Sequence, residues 1–566
     1  MSIRQMTCLI LACLCVTGPA FAVAADLRLV PQPHAVKFLG GQPWSPGAQM
    51  RIQVPAKIPD AKEHFLAVAG ALKMLADMDV LFVSKAEDAD LVVAVEPRLA
   101  AEAFRLRVQA GGVRIEASAL KGMAHATATL LQLIGQHQGK AVPALEIQDA
   151  PDCAYRSLMM DLGRNPHSLE SLKEAVDLLW FYKADSLHLH LTDDQRFAFP
   201  SKAYPKLVTK KGEITWEQFA ELERYARTRG VAIIPELEVP GHSGKLRGIY
   251  PEVFGKTPAE LATSDTARKA VKVLLDEMIE LFPSSPYVHI GGDEAFGVPV
   301  DLQRALINDL HAYLKAKGKQ TVVWEGPSLG KGDNKVNTDV IHLNWNTTNF
   351  PAGRMLAEGY RVVNAAWDPL YVVDHYPRNN FTMASPQYIY ETLRLTKFQH
   401  YSPGMPTFTK PIECPRTDRL IGFCMCWWEG RDENFARMVF PRLIPLAEIA
   451  WNHDRKRDYG DFAARSSAAE KIRQRAFYPV EIAASPLAVP EDGVFHDQTR
   501  VSLQKRDRGG EIRYTLDGGE PCASSNLYRE PLTVDRSTIV RAAWFQDGRQ
   551  VSHDSRRSLT CVAPIR

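Results

Sequence analysis

Apolar runs that are typical of buried strands alternate with amphipathic helical stretches from Tyr155 onward. The strand pattern recurs eight times, and most of the runs are followed by a stretch whose apolar residues repeat at helical spacing. This alternation predicts an α/β protein with a closed parallel (β/α)8 barrel of the TIM type. A doubly wound open sheet is the alternative, but such sheets usually have fewer strands, and the chain has no glycine-rich phosphate-binding fingerprint. The eight runs are YRSLMMDL, ADSLHLHL, VAIIPELEV, YVHIGG, TVVWEG, VIHLNW, RVVNAAW and LIGFCMCWW.

The segments on either side of the predicted barrel have different patterns. Residues 26–150 contain strand-like runs, a Gly111-Gly112 hairpin signal and the amphipathic stretch AHATATLLQLI, which together predict a small α+β domain. The barrel is predicted over residues 151–480. After the linker-like SPLAVPEDG, residues 487–566 alternate short strand patterns with turns, which predicts a small C-terminal β-sandwich.

The first 24 residues have the pattern of a secretory signal peptide. Arg4 precedes a short apolar run, which is followed by the small-x-small cleavage pattern Ala22-Val23-Ala24. The run is interrupted by Gly18-Pro19 and is too short for a permanent membrane helix. We therefore expect export to the periplasm or the medium, with a lipoprotein anchored at Cys13 as the weaker alternative. No later segment is apolar enough to predict a membrane span.

The overall composition is that of a soluble globular protein, with 45% hydrophobic residues, 24% charged residues and a formal net charge of +2. This balance predicts neither a nucleic-acid partner nor a polybasic membrane-binding surface. Because export permits disulfides, we expect a bond between Cys522 and Cys561, which share the last segment. Cys424 and Cys426 lie in one apolar strand with both side chains on the same face, where buried thiols are expected.

Polar and aromatic residues follow the apolar runs where the predicted strands end. In a (β/α)8 barrel, the carboxyl ends of the strands surround the active site. The sequence therefore predicts that charged groups and tryptophans from several strands converge on one mouth. These residues are Asp161, Arg164, His190, Asp193, Asp194, Glu236, Glu238, His242, Asp293, Glu294, Trp324, Glu325, Trp345, Trp367, Trp427 and Glu429.

The stretch VHIGGDEAF places two adjacent carboxylates, Asp293 and Glu294, after an apolar strand and two glycines. Adjacent acids repel each other, so the pattern favours a chemical role, with a polar loop cap as the alternative. Acids beside tryptophans suit a carbohydrate site, and glycoside hydrolysis needs a proton donor at the leaving oxygen. A carboxylic acid with a raised pKa can donate this proton, and a close anionic neighbour helps to raise that pKa.

Five motifs, in order along the chain, resemble those of one known family. HIGGDEAF resembles the His-x-Gly-Gly-Asp-Glu signature of the family 20 β-N-acetylhexosaminidases. LVPQPHAV and TATLLQL resemble that family's leading domain, and IRYTLDGGEP resembles its C-terminal β domain. The resemblance covers nearly the whole chain after the predicted signal peptide. The other four motifs are DLGR (161–164), HLHLTDDQ (188–195), PELEVPGH (235–242) and WWEG (427–430).

The resemblance implies an exo-acting enzyme that removes terminal β-linked N-acetylglucosamine or N-acetylgalactosamine from an oligosaccharide or glycan, with retention of configuration. Glu294 is then the general acid and later the general base. Asp293 holds the substrate's own 2-acetamido group, whose carbonyl oxygen attacks the anomeric carbon and forms an oxazolinium-like intermediate. Asp193 and His242 are implied to support Glu294.

The same resemblance implies how the terminal sugar is held. Arg164 would fork onto the O3 and O4 hydroxyls, with a structural ion pair to Asp161 as the alternative. Glu429 would bind O4 or O6. The aromatic walls of the acetamido pocket would be Trp345, Trp367 and Trp427.

Three positions depart from the family's pattern. Tyr371 and Asp374 resemble a Tyr-x-Asp pair whose tyrosine donates to the acetamido carbonyl, but here two residues separate them. Arg196-Phe197 stands where many bacterial members have Gly-Trp, which predicts a different neighbouring sugar or a charged group at the mouth. Glu238 stands where the family commonly has Asp, and its extra methylene is expected to shift the support of His242.

Two other functions fit part of the sequence. His188 and His190 face one side of their strand, which raises a metal-dependent hydrolase on the same barrel. The resemblance instead implies no metal and no cofactor in catalysis. A sugar-binding protein without turnover would keep the tryptophans but has no use for the Asp293-Glu294 pair. The sequence makes no prediction of oligomeric state.

Overall fold

The computed structural model describes ten segments of the chain. The predicted signal peptide, residues 1–24, and the predicted sugar-binding residue Asp374 lie outside them. The described segments are residues 27–208, 213–326, 335–347, 350–373, 384–399, 411–489, 493–505, 510–546, 548–550 and 552–563.

Eight parallel strands form a closed barrel, which confirms the predicted fold class. Each strand pairs with the next, and Leu420–Trp428 closes the ring by pairing with both Arg361–Asn364 and Tyr155–Asp161. Buried apolar side chains such as Met159, Ile234 and Val322 fill the barrel interior. The eight strands are Tyr155–Asp161, Ser186–His190, Ala232–Glu236, Tyr287–His289, Gln320–Trp324, Ile341–Asn344, Arg361–Asn364 and Leu420–Trp428.

The barrel helices vary in length, from 4 residues in Pro251–Phe254 to 17 residues in Asp265–Leu281. Two of the long ones begin at side-chain caps: the Ser168 and Thr215 hydroxyls accept from backbone N–H groups of the first helical turn. The strand Tyr371–Val373 lies beside Leu420–Trp428 outside the ring, and Lys397–Phe398 pairs with Ile412–Glu413. The helices are Leu169–Phe181, Trp216–Arg227, Gly244–Ile249, Pro251–Phe254, Pro258–Thr263, Asp265–Leu281, Val300–Ala316, Ala352–Ala357, Trp367–Leu370, Pro386–Thr392, Phe435–Met438, Phe440–Trp451 and Tyr459–Phe477.

The N-terminal domain is a seven-stranded mixed sheet with two helices, Ala61–Ala76 and Leu120–Gln136. Gly111-Gly112 stands at the predicted hairpin between Phe104–Gln109 and Gly112–Ala117. The helix Tyr459–Phe477, which follows the barrel, packs on both of these helices. The strands are Ala35–Phe38, Gln49–Gln53, Asp79–Phe82, Leu91–Val95, Phe104–Gln109, Gly112–Ala117 and Leu145–Asp149.

The C-terminal region folds as two small sheets around a core that also includes Met74 of the helix Ala61–Ala76. Its first strand, Val480–Ser485, pairs with Thr499–Lys505 and precedes the predicted boundary at residue 487. This pairing places Val480–Ser485 in the β domain. The other strands are Val494–Phe495, Glu511–Thr515, Asn526–Leu527, Leu532–Val534, Thr538–Gln546, Arg549–Gln550 and Ser555–Cys561.

The cysteines contradict one expectation and confirm another. Cys522 and Cys561 are free thiols, so the predicted disulfide is absent. Cys522 lies in an exposed turn beside Ser524, whereas Cys561 ends the last strand. Cys424 and Cys426 are fully buried in the barrel interior, as predicted. None of the helices in the described segments has the length and apolarity of a membrane span.

Candidate active site

One pocket of about 340 Å³ gathers most of the predicted site residues at the carboxyl ends of the barrel strands. Asp293 is half-buried in it, and the side chain of Glu294 beside it is 41% exposed. Val373 and Trp428 also line the pocket, and neither is among the site residues predicted from the sequence. The lining residues are Arg164, His242, Asp293, Glu294, Trp345, Trp367, Tyr371, Val373, Trp428 and Glu429.

Two glycines place the acid pair at the pocket. Gly291 and Gly292 adopt φ values of 67° and 100°, which side chains disfavour. Gly291 lies directly against Glu238: a Cβ added there would be 2.0 Å from the Glu238 carboxyl carbon. The chain thus leaves the strand Tyr287–His289 through a turn that only glycine fits, and this turn directs both acids into the mouth.

Three predicted site residues also have left-handed backbones. His242 and Glu294 each have φ of 42°, and Glu429 has φ of 54°. Such conformations cost about 1–3 kcal/mol each and persist where the surrounding structure holds them. Their coincidence at one pocket indicates that packing has fixed the directions of these side chains at the expense of local backbone stability.

Substituting Gly291→Ala is expected to lower the free energy of unfolding by about 1–3 kcal/mol, because the new methyl combines a strained φ with a clash against a buried carboxyl. Thermal or urea unfolding measures the loss. Gly297→Ala is the matched control, since Gly297 has φ of 81° but open space around its Cβ position. Equal losses in the two variants would show that the contact with Glu238 contributes nothing.

A series of carboxylates and imidazoles in contact with one another extends from the barrel interior to Glu294. Glu236 Oε2 lies 2.7 Å from His190 Nδ1, and Asp193 Oδ2 lies 3.0 Å from His190 Nε2. Asp193 Oδ1 lies 3.4 Å from His242 Nδ1, and His242 Nε2 lies 3.1 Å from Glu294 Oε2. Asp193 and His242 thus lie where the sequence predicts support for Glu294. The series continues inward through His190 and Glu236.

The imidazoles of His190 and His242 each lie between two carboxylates. Both nitrogens of each ring therefore donate, and both rings are cationic. Burial opposes the charge on His190, but Glu236 and Asp193 raise its pKa to about 10. Burial likewise opposes the charge on His242, but the hydrogen bonds to Asp193 and Glu294 raise its pKa to about 12. A cationic imidazole therefore lies beside the Glu294 carboxylate.

The electrostatics of the acid pair differ from the sequence-based expectation. The hydrogen bond from His242 holds the pKa of Glu294 below its ordinary value. Burial, with the nearby Glu294 and Glu236 carboxylates, raises the pKa of Asp293 to about 7. The expected raised pKa thus falls on the other member of the pair, because Glu294 is the one that His242 reaches.

Glu238 contacts the glycine turn, and its side chain makes no hydrogen bond to His242 in the described segments. Its Oε1 accepts from the Gly292 N–H at 3.0 Å. Burial, together with the Asp293 and Glu236 carboxylates, raises the pKa of Glu238 well above its ordinary value. The Glu238 carboxyl thus supports the turn through the Gly292 N–H.

Four aromatic rings wall the pocket. Tyr371 stacks parallel to Trp345 at 6.3 Å between centroids and lies 5.5 Å from Trp367 and 5.8 Å from Trp428. Trp345 is fixed by its indole N–H, which donates to the Glu325 carbonyl at 2.8 Å. Tyr371 therefore lines the pocket despite its altered spacing from Asp374.

The prediction that Trp427 forms part of this wall is wrong. Trp427 is fully buried and packs against His167 and Phe435, outside the barrel interior. Side chains alternate along a strand, so Trp428 shares the inward face with Cys424 and Cys426. The alternation that places Cys424 and Cys426 on one face of the strand also places Trp428 there, so the sequence contains the signal that identifies Trp428.

Arg164 has both of its predicted placements. Its guanidinium donates to Asp161 at 3.0 Å, pairs with Asp193 at 2.8 Å and lies over Trp428 at 4.9 Å from the ring centroid. It also lines the pocket. Asp161 Oδ2 accepts from the Glu429 N–H at 3.1 Å, so one buried carboxylate orients two residues that face the sugar position.

Three sets of histidines and carboxylates in the described segments lie close enough together to hold a metal ion. In the most buried set, Glu236 accepts from His188 at 2.9 Å and lies 3.0 Å from His289, and it also accepts from Trp324 at 2.6 Å. Hydrogen bonds and charge pairing thus account for this donor set. The sets are His188, Glu236 and His289; His190, Glu236 and Glu238; and Asp193, Asp194 and His242.

Three family models match successive parts of the chain, and all three describe domains of glycosyl hydrolase family 20 or of chitobiase/β-hexosaminidase. The catalytic-domain model of glycosyl hydrolase family 20 matches residues 153–454, and the model of domain 2 of that family matches residues 26–150. The chitobiase/β-hexosaminidase C-terminal domain model matches residues 490–555. A β-hexosaminidase of Vibrio furnissii is 28% identical over 493 residues, which are 75% of this chain and 76% of that protein.

Solved structures share the fold. A β-N-acetylhexosaminidase from Bacteroides fragilis superposes with a TM-score of 0.66 at 21% identity, over 79% of this chain and 96% of that chain. An exo β-N-acetylglucosaminidase from Vibrio harveyi, solved in complex with N-acetylglucosamine, superposes with a TM-score of 0.65 at 22% identity, over 79% and 77% of the two chains. Because the catalytic-domain match alone spans more than half of its 566 residues, the protein belongs to glycosyl hydrolase family 20 and is a glycoside hydrolase.

Proposed function

We propose that the protein removes terminal β-linked N-acetylglucosamine or N-acetylgalactosamine from oligosaccharides and glycans, with retention of configuration. The observation that carries the proposal is the adjacent pair Asp293 and Glu294 in a pocket with four aromatic walls. The complex of the Vibrio harveyi neighbour with N-acetylglucosamine supports this choice of sugar. A single terminal sugar fits a pocket of this size, and acts there as an exo substrate.

In the proposed mechanism the substrate supplies its own nucleophile. The acetamido N–H donates to the Asp293 carboxylate, and the acetamido carbonyl oxygen attacks the anomeric carbon. Glu294 donates its proton to the glycosidic oxygen as that bond breaks. Glu294 then accepts a proton from the water that opens the oxazolinium ring. Asp293 stabilises the positive charge that develops on the acetamido nitrogen.

The surrounding residues suit these steps. When Glu294 has given up its proton, the His242 cation at 3.1 Å stabilises the carboxylate that remains. The Trp345, Trp367, Tyr371 and Trp428 rings exclude water from the acetamido group and pack on its methyl. Arg164 and Glu429, which line the same pocket, supply the polar groups for the ring hydroxyls.

The defining test compares 4-nitrophenyl β-glycosides that are identical except for a 2-acetamido or a 2-hydroxyl group. We expect the acetamido substrate to react at least about 10³-fold faster, because only it carries an intramolecular nucleophile. A thiazoline analogue of the cyclic intermediate should inhibit competitively. If the 2-hydroxyl substrate reacts equally fast, the substrate is not the nucleophile. Loss of activity in a chelator, restored by a divalent metal, would instead support the metal-dependent alternative.

The acid pair also predicts the pH dependence of kcat/KM. The free enzyme must hold one proton on the pair for Glu294 to act as the acid while Asp293 is anionic. That proton is lost as the pH rises through about 7, the pKa of Asp293, so we expect kcat/KM to fall above this pH. At low pH a second proton, which binds Glu294 below its ordinary pKa, neutralises both acids and lowers kcat/KM again.

A pH profile of Asp293→Asn distinguishes this account from simple deprotonation of Glu294. With Asp293 neutral, the remaining proton resides on Glu294, whose pKa is already low because of His242. The alkaline limb of the residual activity should therefore move to lower pH. A limb that stays at about 7 would contradict proton sharing in the pair.

A further inference from the structure

A second cavity, of about 430 Å³, adjoins the sugar pocket. The two cavities share Asp293, Glu294 and Trp345, so they form one continuous surface on which Glu294 lies at the junction. Phe296 and Val300 line only the second cavity. The mechanism described above uses neither residue.

Phe296 is unusually exposed for an aromatic side chain. Its relative exposure is 79%, and it is the only aromatic among the large apolar side chains that are exposed in the described segments. Single exposed apolar residues are common on proteins. Phe296 differs from these because it stands two residues after the acid Glu294 and faces a cavity that begins at that acid.

The turn that presents Phe296 is anchored. The Phe296 N–H donates to the Glu294 carbonyl at 2.7 Å. The buried Gln303 amide donates to the carbonyls of Ala295 and Val298, at 3.1 Å each. The ring therefore projects from a fixed backbone, which lowers the entropy cost of using it as a contact surface.

We propose that Phe296 is the stacking platform for the second sugar of the substrate, the one that leaves when the bond breaks. This inference rests on the proposed function. Glu294 donates its proton to the oxygen that joins the two sugars, so the leaving sugar lies on the side of Glu294 away from the first pocket. The second cavity occupies the adjoining space and offers an aromatic face for the apolar face of a pyranose.

The described lining of the second cavity suits a neutral leaving sugar. Asp293 and Glu294 at the junction are acidic, and no Lys, Arg or His is among the described residues that line the second cavity. A sulfated or sialylated leaving sugar would therefore find no cationic partner among the described residues that line this cavity. Arg196-Phe197, expected from the sequence to shape the mouth, is not available: Phe197 is 1% exposed, and the largely buried Arg196 pairs with Glu213 at 3.3 Å.

The test compares two substrates that share the terminal sugar and differ in the leaving group. N,N′-diacetylchitobiose places a neutral sugar in the second cavity, and 2-acetamido-2-deoxy-β-glucopyranosyl fluoride leaves that cavity empty. We expect Phe296→Ala to lower kcat/KM about 3- to 10-fold on the disaccharide and to leave the fluoride unchanged. Phe296→Tyr, which keeps the ring, should retain the wild-type ratio of the two values.

Leu66→Ala is the matched control, since Leu66 is 55% exposed on a helix of the N-terminal domain. An equal response of both substrates to Phe296→Ala, or none in either, overturns the assignment of Phe296. If the wild-type enzyme does not hydrolyse the fluoride, the proposed function fails independently of Phe296. Because Phe296 packs on so little, its truncation should not change the unfolding temperature, which thermal denaturation checks.

Discussion

Replacing Glu294 with Gln is expected to remove nearly all hydrolysis of oligosaccharides while sugar binding persists. The amide has the same size as the acid but cannot donate a proton to the leaving oxygen. A positioned general acid contributes about 10²- to 10⁴-fold to the rate, and the larger figure applies to sugar leaving groups, which need the proton most. The Glu294 side chain is 41% exposed and contacts His242 at 3.1 Å, so the substitution should not disturb the core.

The measurement is kcat for a disaccharide and for a 2,4-dinitrophenyl glycoside. Binding of the product is measured separately, by the quenching of the fluorescence of the pocket tryptophans. The activated leaving group should lose far less rate than the sugar. Glu63→Gln, an exposed acid on the helix Ala61–Ala76, is the control for removing one carboxylate. Retained disaccharide turnover in Glu294→Gln would contradict the assigned acid, whereas a wild type that binds the sugar but never turns it over would support the non-catalytic alternative.

Replacing Asp293 with Asn is expected to slow acetamido substrates about 10²- to 10³-fold, the loss that follows removal of one preorganised electrostatic contact to a developing charge. The carboxylate compensates the positive charge on the acetamido nitrogen as the ring forms, and an amide does not. Leaving-group ability should matter less than in Glu294→Gln, because the missing interaction acts on the nucleophile and not on the departing oxygen.

The check is a comparison of two substrates and two variants. Asp293→Asn should reduce the advantage of the 2-acetamido over the 2-hydroxyl substrate, whereas Glu294→Gln should slow both. If the rate loss comes from the missing negative charge, Asp293→Ala should show the same rate loss as Asp293→Asn. The hydrogen-bonding ability of the Asn side chain then makes no difference. A trapped covalent bond between the anomeric carbon and either carboxylate would falsify the assignment of both acids.

The barrel could be predicted from the sequence because its strands are buried on both faces. Tyr155–Asp161 and Ser186–His190 are apolar or fully buried at every position, and parallel strands of this kind read as continuous apolar runs. The start of the C-terminal domain could not be placed in the same way. Val480–Ser485 resembles any short strand, and only its pairing with Thr499–Lys505 assigns it to the β domain.

The identity of the pocket residues was predictable where it depends on the alternation of side chains along a strand or on the order of the motifs. Asp293, Glu294 and Arg164 lie in the pocket as predicted. The alternation of side chains along the last barrel strand would also have predicted Trp428 and not Trp427. The place of Phe296 was not predictable, since an exposed aromatic and a buried one look the same in a sequence.

The sequence by itself determined the periodicity of the strands and helices, the glycines before the acid pair and the chemical types that gather at the strand ends. Only the tertiary structure decided the distances: it placed His242 against Glu294, placed His190 between Glu236 and Asp193, and left Asp293 half-buried. Those distances and the exclusion of water set the pKa of each acid, because charge interactions depend on separation and on the surrounding dielectric. Neither quantity is written in the order of residues along the chain.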